Sequence, residues 1–238
     1  MKEINIISNL KLSEGVLITF HRGKRVEIPF NLLYSFVLRG IGFYKAQNFD
    51  SSTIVGIIGK NNLEWIVADL SAISLGIKSI PLDLNSDISH YQNRHFKINT
   101  LLISGDYIEE INRYKSFGYN CILLDDIMHY ENSEKELIPY QYTKEEIFSY
   151  KATSGSTGIP KIMSHSYGAV LNSVYSIQNM FEHKKNDKIL VFLPLNLLQQ
   201  RYWLYSSILF GYKVIIVPKE SLFISIKTKK PFDNLKGY

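Results

Sequence analysis

Cysteine is almost missing from this chain, which has 238 residues and a single cysteine, Cys121. A disulfide within the chain is therefore impossible, so small secreted scaffolds that depend on disulfides are excluded. Zinc sites built from several cysteines are excluded for the same reason. Cys121 stands in the apolar run 121–124, which predicts a buried and unreactive thiol. So little cysteine is typical of a reducing compartment, and we expect a cytoplasmic location.

Uninterrupted long apolar runs are also missing. The most apolar long stretch, 202–218, contains Gly211 and Lys213, and it falls short of the roughly 20 residues that a helix needs to cross a bilayer. We interpret it as a buried helix followed by a buried strand. The first residues lack the basic start, apolar core and cleavage site of a signal peptide. The sequence therefore predicts no transmembrane segment.

Basic residues are not concentrated in one place. The 27 Lys and Arg residues outnumber the 22 Asp and Glu residues, giving a net charge of +5, but the only cluster is Lys227, Lys229 and Lys230. A nucleic-acid-binding protein usually carries a focused basic stripe or a run of stacking aromatics. Neither is present, so we expect no nucleic-acid partner. The positive charge fits a smaller anionic ligand such as a nucleotide.

Familiar catalytic and metal patterns are absent as well. His90 and His95 are five residues apart, which matches no common zinc spacing. The acidic pairs at 125–126 and 145–146 lie in polar segments, where solvated charge is the simpler interpretation. No Gly-x-Ser-x-Gly sequence is present, so a serine hydrolase of that type is excluded.

The pattern that is present is an alternation of short apolar runs with segments of helical period. Such alternation predicts an α/β fold, with a layered, mostly parallel β-sheet and helices on both faces. We expect Asn61 to cap the second helix and Gly76 to end it. Pro81 should stop the second strand. The predicted strands are 53–58, 77–82, 100–104, 120–124, 147–152, 188–193 and 213–217, and the predicted helices are 31–45, 61–75, 86–97, 107–117, 166–181 and 197–210.

The segment 125–142 is polar and without period, and it is the best candidate for a linker or variable loop. We therefore divide the chain into an N-terminal α/β subdomain over 1–142, a second α/β subdomain over 143–220 and a basic tail over 221–238.

A loop rich in glycine and hydroxyl groups follows the strand predicted at 147–152. Its glycines, Gly155 and Gly158, permit positive φ and a close approach of backbone N–H groups to an anion. Each hydrogen bond to a charged phosphate contributes about 1.5–3 kcal/mol. The residues that we assign to phosphate binding are Thr153, Ser154, Gly155, Ser156, Thr157, Gly158 and Lys161.

Two better-known nucleotide loops do not fit this segment. A Walker-type loop needs a Gly-Lys-Ser/Thr ending, and Pro160 occupies the place of its second glycine. A dinucleotide loop needs Gly-x-Gly-x-x-Gly, which does not occur. The pair Gly40 and Gly42 lies inside a predicted helix, so we interpret it as a packing feature.

The order Thr-Ser-Gly-Ser-Thr-Gly-Ile-Pro-Lys over 153–161 resembles the phosphate-loop signature of the adenylate-forming superfamily of acyl-CoA synthetases, peptide-synthetase adenylation domains and luciferases. Weaker likenesses are the helix at 62–76 that leads into the strand ending Pro-Leu-Asp at 81–83, and Phe-Leu-Pro-Leu at 192–195. The resemblance covers about 15–220 and implies the N-terminal core of such an enzyme.

The resemblance implies a reaction in which ATP and a small carboxylic acid form an acyl-adenylate and release pyrophosphate. Lys161 and the loop would hold the β- and γ-phosphates, and Thr157 would assist Mg²⁺. A thiol of CoA or of a carrier protein would then accept the acyl group. His165, Asn196, Leu197 and Gln200 are the residues that we assign to the acyl or nucleotide pocket.

Two departures from the family pattern qualify this expectation. Asn196 and Leu197 replace a frequent aromatic–His pair, and the motifs of the C-terminal half of such enzymes have no counterpart before Tyr238. We therefore expect the isolated chain to be inactive, as a fragment, the product of a disrupted gene, or half of a split enzyme that a second chain completes. The alternative is a non-catalytic nucleotide- or acyl-binding or interaction module of the same fold.

Overall fold

A computed structural model of the chain describes residues 5–84, 96–98, 100–131, 138–153 and 161–219. Its helices are α1 Ile6–Leu12, α2 Phe30–Ala46, α3 Leu63–Ser74, α4 Glu110–Ser116, α5 Tyr167–Phe181 and α6 Leu198–Phe210, with 3-10 turns at Gly105–Tyr107 and Leu124–Met128. Its strands are β1 Val16–His21, β2 Lys24–Pro29, β3 Ile54–Ile58, β4 Lys78–Leu82, β5 Thr100–Ile103, β6 Asn120–Leu123, β7 Ile147–Thr153, β8 Lys161–Ser166, β9 Lys188–Val191 and β10 Lys213–Ile216.

The larger sheet has six strands in the order β6-β5-β3-β4-β7-β8. All neighbours in it run parallel except β7 and β8, which are antiparallel. β3 and β5 are mostly apolar and almost completely buried, as is usual for parallel strands covered on both faces. The predicted α/β fold with a mostly parallel sheet is confirmed.

The smaller sheet has four strands in the order β2-β1-β10-β9. β1 and β2 form an antiparallel hairpin, and β1 also pairs in parallel with β10. Both sheets therefore draw strands from before and after residue 142. The division of the chain into subdomains at that residue stays a prediction.

Helices cover both faces of the larger sheet. One apolar cluster joins Val55 of β3 to Trp65 of α3 and to Leu17 and Val214 of the smaller sheet. A second cluster, on the other face, joins Ile80 of β4 to Tyr114 of α4 and other side chains. The predicted layers on both faces are thus confirmed. In the part of the chain that the structure describes, no helix combines the length and the apolar character that a membrane span requires.

α2 and α3 approach each other closely at Gly40. A Cβ atom at this position would lie 2.1 Å from Ser71 Oγ of α3. Ser71 Oγ donates a hydrogen bond to the Val37 carbonyl oxygen, also in α2, at 3.1 Å. The interpretation of Gly40 as a packing residue is confirmed.

Several local predictions were wrong. The pattern missed α1, β1, β2 and β8, and the residue that caps α3 is Asn62, whose side chain accepts from the Trp65 N–H at 2.9 Å. Pro81 lies within β4, opposite Ile57 of β3, instead of stopping the strand. Most of the helix predicted over 86–97 lies outside the described residues.

The segment predicted as a linker and the thiol predicted as buried also differ. Ile127 of the 3-10 turn after β6 is fully buried, and the Tyr142 hydroxyl donates to the Ile73 carbonyl oxygen. Ile127, Met128 and Tyr142 of this segment are therefore packed onto the core. Cys121 is partly exposed, but burial raises the pKa of its thiol, which keeps it mostly protonated.

Candidate functional site

The carboxyl ends of β4 and β7 lie side by side, because the two strands are parallel neighbours in the larger sheet. Asp83 follows β4 directly, and β7 ends at Thr153. β8 returns antiparallel to β7, with Thr153 paired to Lys161. The segment predicted as the phosphate loop therefore connects the two strands of a hairpin. It follows the carboxyl end of β7, and open α/β folds bind ligands at the carboxyl ends of their strands.

The residues between these two strand ends, 154–160, lie outside the described residues. They include Ser154, Gly155, Ser156, Thr157 and Gly158, so the assignment of these residues to phosphate or metal binding stays a prediction. The strand before the loop is confirmed, and β8 is a strand that the pattern missed between the loop and α5.

The loop after β9 reaches the same edge of the larger sheet. The Asn196 side-chain amide donates to Asp83 Oδ1, while Asn196 Oδ1 is buried and has no hydrogen-bond partner among the described residues. Leu197 is 38% exposed, and its carbonyl oxygen accepts from the Gln200 N–H at 2.8 Å as α6 begins. Asn196 thus contacts the residue that follows β4, the strand next to β7. Its assignment to a pocket, like those of Leu197 and Gln200, stays a prediction.

Asn61 holds the loop after β9 through side-chain hydrogen bonds. Its side-chain amide donates to the carbonyl oxygens of Leu193 and Val217 at 2.9 and 3.0 Å. Its Oδ1 accepts from the Leu195 N–H at 2.9 Å. One nearly buried side chain therefore holds together the chain after β3, β9 and β10. Asn61 was predicted as a helix cap, and this different role was missed.

His165 lies on β8 opposite Ser149 of β7. Burial lowers the pKa of its imidazole, and repulsion from Arg201 and Lys151 lowers it further. The ring is therefore neutral near pH 7 and can exchange hydrogen bonds, but it adds no positive charge for an anion. Its Nε2 is buried and without a hydrogen-bond partner in the described part of the chain.

A buried polar cluster, which we call the Arg201 cluster, lies behind this edge. It consists of Asp69 of α3, Ser79 of β4, Ser149 of β7, and Arg201 and Tyr205 of α6. Arg201 Nη1 donates to Asp69 Oδ1 at 3.1 Å, and both guanidinium nitrogens Nη1 and Nη2 lie 3.1 Å from Ser149 Oγ. Ser149 is on β7, and α6 follows the Asn196 loop, so the cluster links both segments of the site.

Two other members of the Arg201 cluster donate hydrogen bonds to the Asp69 carboxylate. The Tyr205 hydroxyl donates to Asp69 Oδ2 at 2.5 Å, and Ser79 Oγ donates to Oδ1 at 3.0 Å. Burial and then the Asp69 charge raise the pKa of Tyr205 well above its ordinary value, so the phenol keeps the proton that it donates. Sequence analysis missed this cluster, although a charged residue in a helix as apolar as α3 was a usable signal.

Comparison with known proteins agrees with this geometry. A family model described as "AMP-binding enzyme" matches residues 37–233. Bacitracin synthase 1 of Bacillus licheniformis is 23% identical over 190 residues, which are 78% of this chain and 3% of that protein. This chain is thus much shorter than that relative.

Solved structures with the same fold include three adenylate-forming enzymes, and each match covers 94% of this chain. O-succinylbenzoate coenzyme A synthetase of Bacillus subtilis, solved with ATP and magnesium ion, gives a TM-score of 0.77 at 20% identity over 60% of its chain. McyG A-PCP, solved with phenylalanyl-adenylate, gives a TM-score of 0.79 at 17% identity, and the match covers 43% of its chain. The fatty acyl-adenylate ligase of L. pneumophila gives a TM-score of 0.76 at 16% identity, and the match covers 41% of its chain.

Proposed function

Because the chain belongs to the AMP-binding enzyme family, we propose that it is the N-terminal region of an ATP-dependent, AMP-forming carboxylate ligase, with an acyl-CoA synthetase-like reaction. The observation that supports the proposal is the β7–β8 hairpin, in which Thr153, at the carboxyl end of β7, pairs with Lys161 at the edge of a mostly parallel sheet. The chain spans 60% or less of the solved relatives described above, so the activity of a whole enzyme is part of the proposal.

In the proposed reaction a carboxylate oxygen of the acid attacks the α-phosphorus of ATP. The new bond joins that oxygen to phosphorus, and the bond between the α-phosphorus and the bridging oxygen breaks as pyrophosphate leaves. Backbone N–H groups of 154–158 and the Lys161 ammonium would stabilise the charge on the departing phosphates. Mg²⁺, assisted by Thr157, would neutralise the remaining charge.

The acid would lie beside the Asn196 loop. His165, Asn196, Leu197 and Gln200 stay the proposed residues of this pocket, and the neutral ring of His165 fits a hydrogen-bonding role there. The buried, unpartnered oxygen of Asn196 would accept a hydrogen bond from a bound ligand or from water. The acyl group would pass to the thiol of CoA or of a carrier protein.

Two measurements on the 238-residue chain test the proposal. Calorimetric titration with ATP and Mg²⁺ should detect binding that falls about tenfold in Lys161→Ala, the change expected when one charge-assisted hydrogen bond is lost. Lys188→Ala, an exposed lysine on β9, is the matched control and should leave the affinity unchanged. Equal affinities in the wild type and Lys161→Ala would contradict phosphate binding by this loop.

Exchange of pyrophosphate into ATP, measured over a panel of carboxylic acids, separates the two functions. Exchange by the chain alone, or after addition of a second chain carrying the C-terminal half, supports the ligase. Binding of ATP without exchange in either case supports the non-catalytic nucleotide-binding module instead.

A further inference from the structure

A second cleft lies at a different place on the larger sheet. In chain order β4 is added on one side of β3 and β5 on the other, so the winding direction reverses at β3. Open α/β sheets bind ligands in the crevice outside the carboxyl ends of the strands at such a switch point. A cleft of about 400 Å³ occupies this position, which we call the switch-point cleft. It is lined by Phe20, Arg22, Gly23, Lys60, Asn62, Glu64, Ser104, Gly105, Asp106, Asp125 and Pro218.

Glu64 gives the switch-point cleft an unused acceptor. The residue is 2% exposed, and its Oε1 lies 2.5 Å from His21 Nδ1. Its Oε2 is buried and has no hydrogen-bond partner among the described residues. Glu64 is in the first turn of α3, where the helix dipole favours a carboxylate. A buried carboxylate oxygen of this kind is costly unless a donor reaches it.

Arg22 gives the same cleft an unused cation. It is exposed in the turn between β1 and β2, and its Nη2 contacts His129 Nε2, a group without negative charge. The ion pairs recorded for the described residues include none for Arg22. Its guanidinium therefore keeps donors that suit an anionic group.

The other charged groups of the cleft already have partners. Lys60 Nζ lies 3.6 Å from Asp106 Oδ2, and Asp125 Oδ2 accepts from the Gly105 N–H at 2.6 Å. Two cations and three carboxylates thus line one cleft. Among the described residues, Glu64 Oε2 has no hydrogen-bond partner and the Arg22 guanidinium has no ion-pair partner. A ligand with a single charge would satisfy one of these two groups and leave the other unsatisfied.

We propose that the switch-point cleft binds a small zwitterion, whose ammonium group is held by Glu64 and whose anionic group is held by Arg22. Phe20 and Pro218 provide an apolar wall for the carbon chain between the two charges. The site involves none of the residues assigned to ATP, so it is independent of the proposed ligase function.

The test uses the full chain and the series glycine, β-alanine, 4-aminobutyrate and 6-aminohexanoate, in which the distance between the two charges increases. Affinity is measured by ligand-observed NMR titration. One member of the series should bind at least about tenfold more tightly than the alkylamine and the alkanoate of equal length, because each of these lacks one charge-assisted contact. Failure of the whole series to bind overturns the proposal.

Variants assign the binding to the cleft. Glu64→Gln and Arg22→Gln should each lower the affinity for the tightest-binding zwitterion by about tenfold. Arg25→Gln, in the same hairpin but outside the cleft, and Lys161→Ala should leave its affinity unchanged. Arg22 is exposed, so its variant keeps the fold even if Glu64→Gln unfolds. Binding that persists unchanged in Arg22→Gln overturns the proposal whatever the other variant does.

Discussion

Arg201 and Asp69 form an ion pair in which both side chains are fully buried, with 3.1 Å between Nη1 and Oδ1. The two residues belong to helices that lie far apart in the chain, and Ser149 joins them to the strand that leads into the proposed phosphate loop. A buried pair of this kind is weak evidence for net stabilisation, but removal of one partner leaves an isolated buried charge.

Asp69→Asn and Arg201→Met should each lower the free energy of unfolding by about 3–5 kcal/mol, because each leaves the opposite charge uncompensated. The double variant should lose less than the sum of the two single losses, since no isolated charge remains in it. Urea unfolding of the four chains, followed by circular dichroism, gives the comparison. Additive losses would contradict the assigned pairing.

Asn61→Ala should lower the free energy of unfolding, because it removes the side chain that hydrogen-bonds to three backbone groups. The carbonyl oxygens of Leu193 and Val217 and the N–H of Leu195 would lose their partner, at about 1–3 kcal/mol for each buried group left unsatisfied. Hydrogen exchange at the Leu195 amide should become faster by the corresponding factor.

Asn62→Ala is the matched control for this experiment. It removes one cap hydrogen bond of α3 and should cost only about 1 kcal/mol. Exchange at the Leu195 amide should remain as slow as in the wild type. Equal effects of the two variants would argue against the proposed hold of Asn61 on the β9 loop.

Gly40→Ala should destabilise the contact between α2 and α3, although alanine is the better helix former. The added Cβ would lie 2.1 Å from Ser71 Oγ and 2.9 Å from Ser71 Cβ, and overpacking of this kind costs about 1–3 kcal/mol. Combining Gly40→Ala with Ser71→Gly should recover part of the loss in thermal unfolding. A Gly40→Ala chain more stable than the wild type would refute this account of the helix contact.

His165 should contribute a pH-dependent part of stability. Its pKa in the folded chain lies below the ordinary 6.5 because of burial and the Arg201 and Lys151 charges. Between 6.5 and the lower folded value the unfolded chain binds more protons, so stability is lost as the pH falls through that window. Above pH 6.5 the ring is neutral in both states and the contribution is constant.

NMR titration of the His165 ring checks the direction of this shift, and urea unfolding between pH 5 and 8 checks the linkage. His165→Asn should reduce the loss of stability on acidification. A His165 pKa at or above 6.5 would contradict the burial and repulsion inferred here.

The fold was predictable where a residue's environment follows from local sequence. β3 and β10 are rich in β-branched residues and mostly buried, and α2 has an apolar face. β2 and β8 were missed because both are largely polar and lie at sheet edges, where one side needs no apolar partner. Their strand character depends on pairing with a neighbour, which a local pattern does not reveal.

Only the part of the candidate site that is contiguous in sequence could be predicted. The loop signature is contiguous, whereas Asp69 and Arg201 are 132 residues apart and meet only after α3 and α6 pack. Asn61 and Asn62 are equally suited to cap a helix, but only Asn62 does so, while Asn61 bonds to the chain after β9 and β10. Contacts between distant segments therefore account for what the sequence did not reveal.

The pairing of β1 with β10 has a consequence for how the protein forms in the cell. Val16 pairs with Lys213, so the smaller sheet cannot close until nearly all of the described chain has left the ribosome. Until then the β1–β2 hairpin keeps an open edge, and such edges are prone to associate with other chains. Slow translation should therefore extend the time in which this open edge of the nascent chain can associate with other chains.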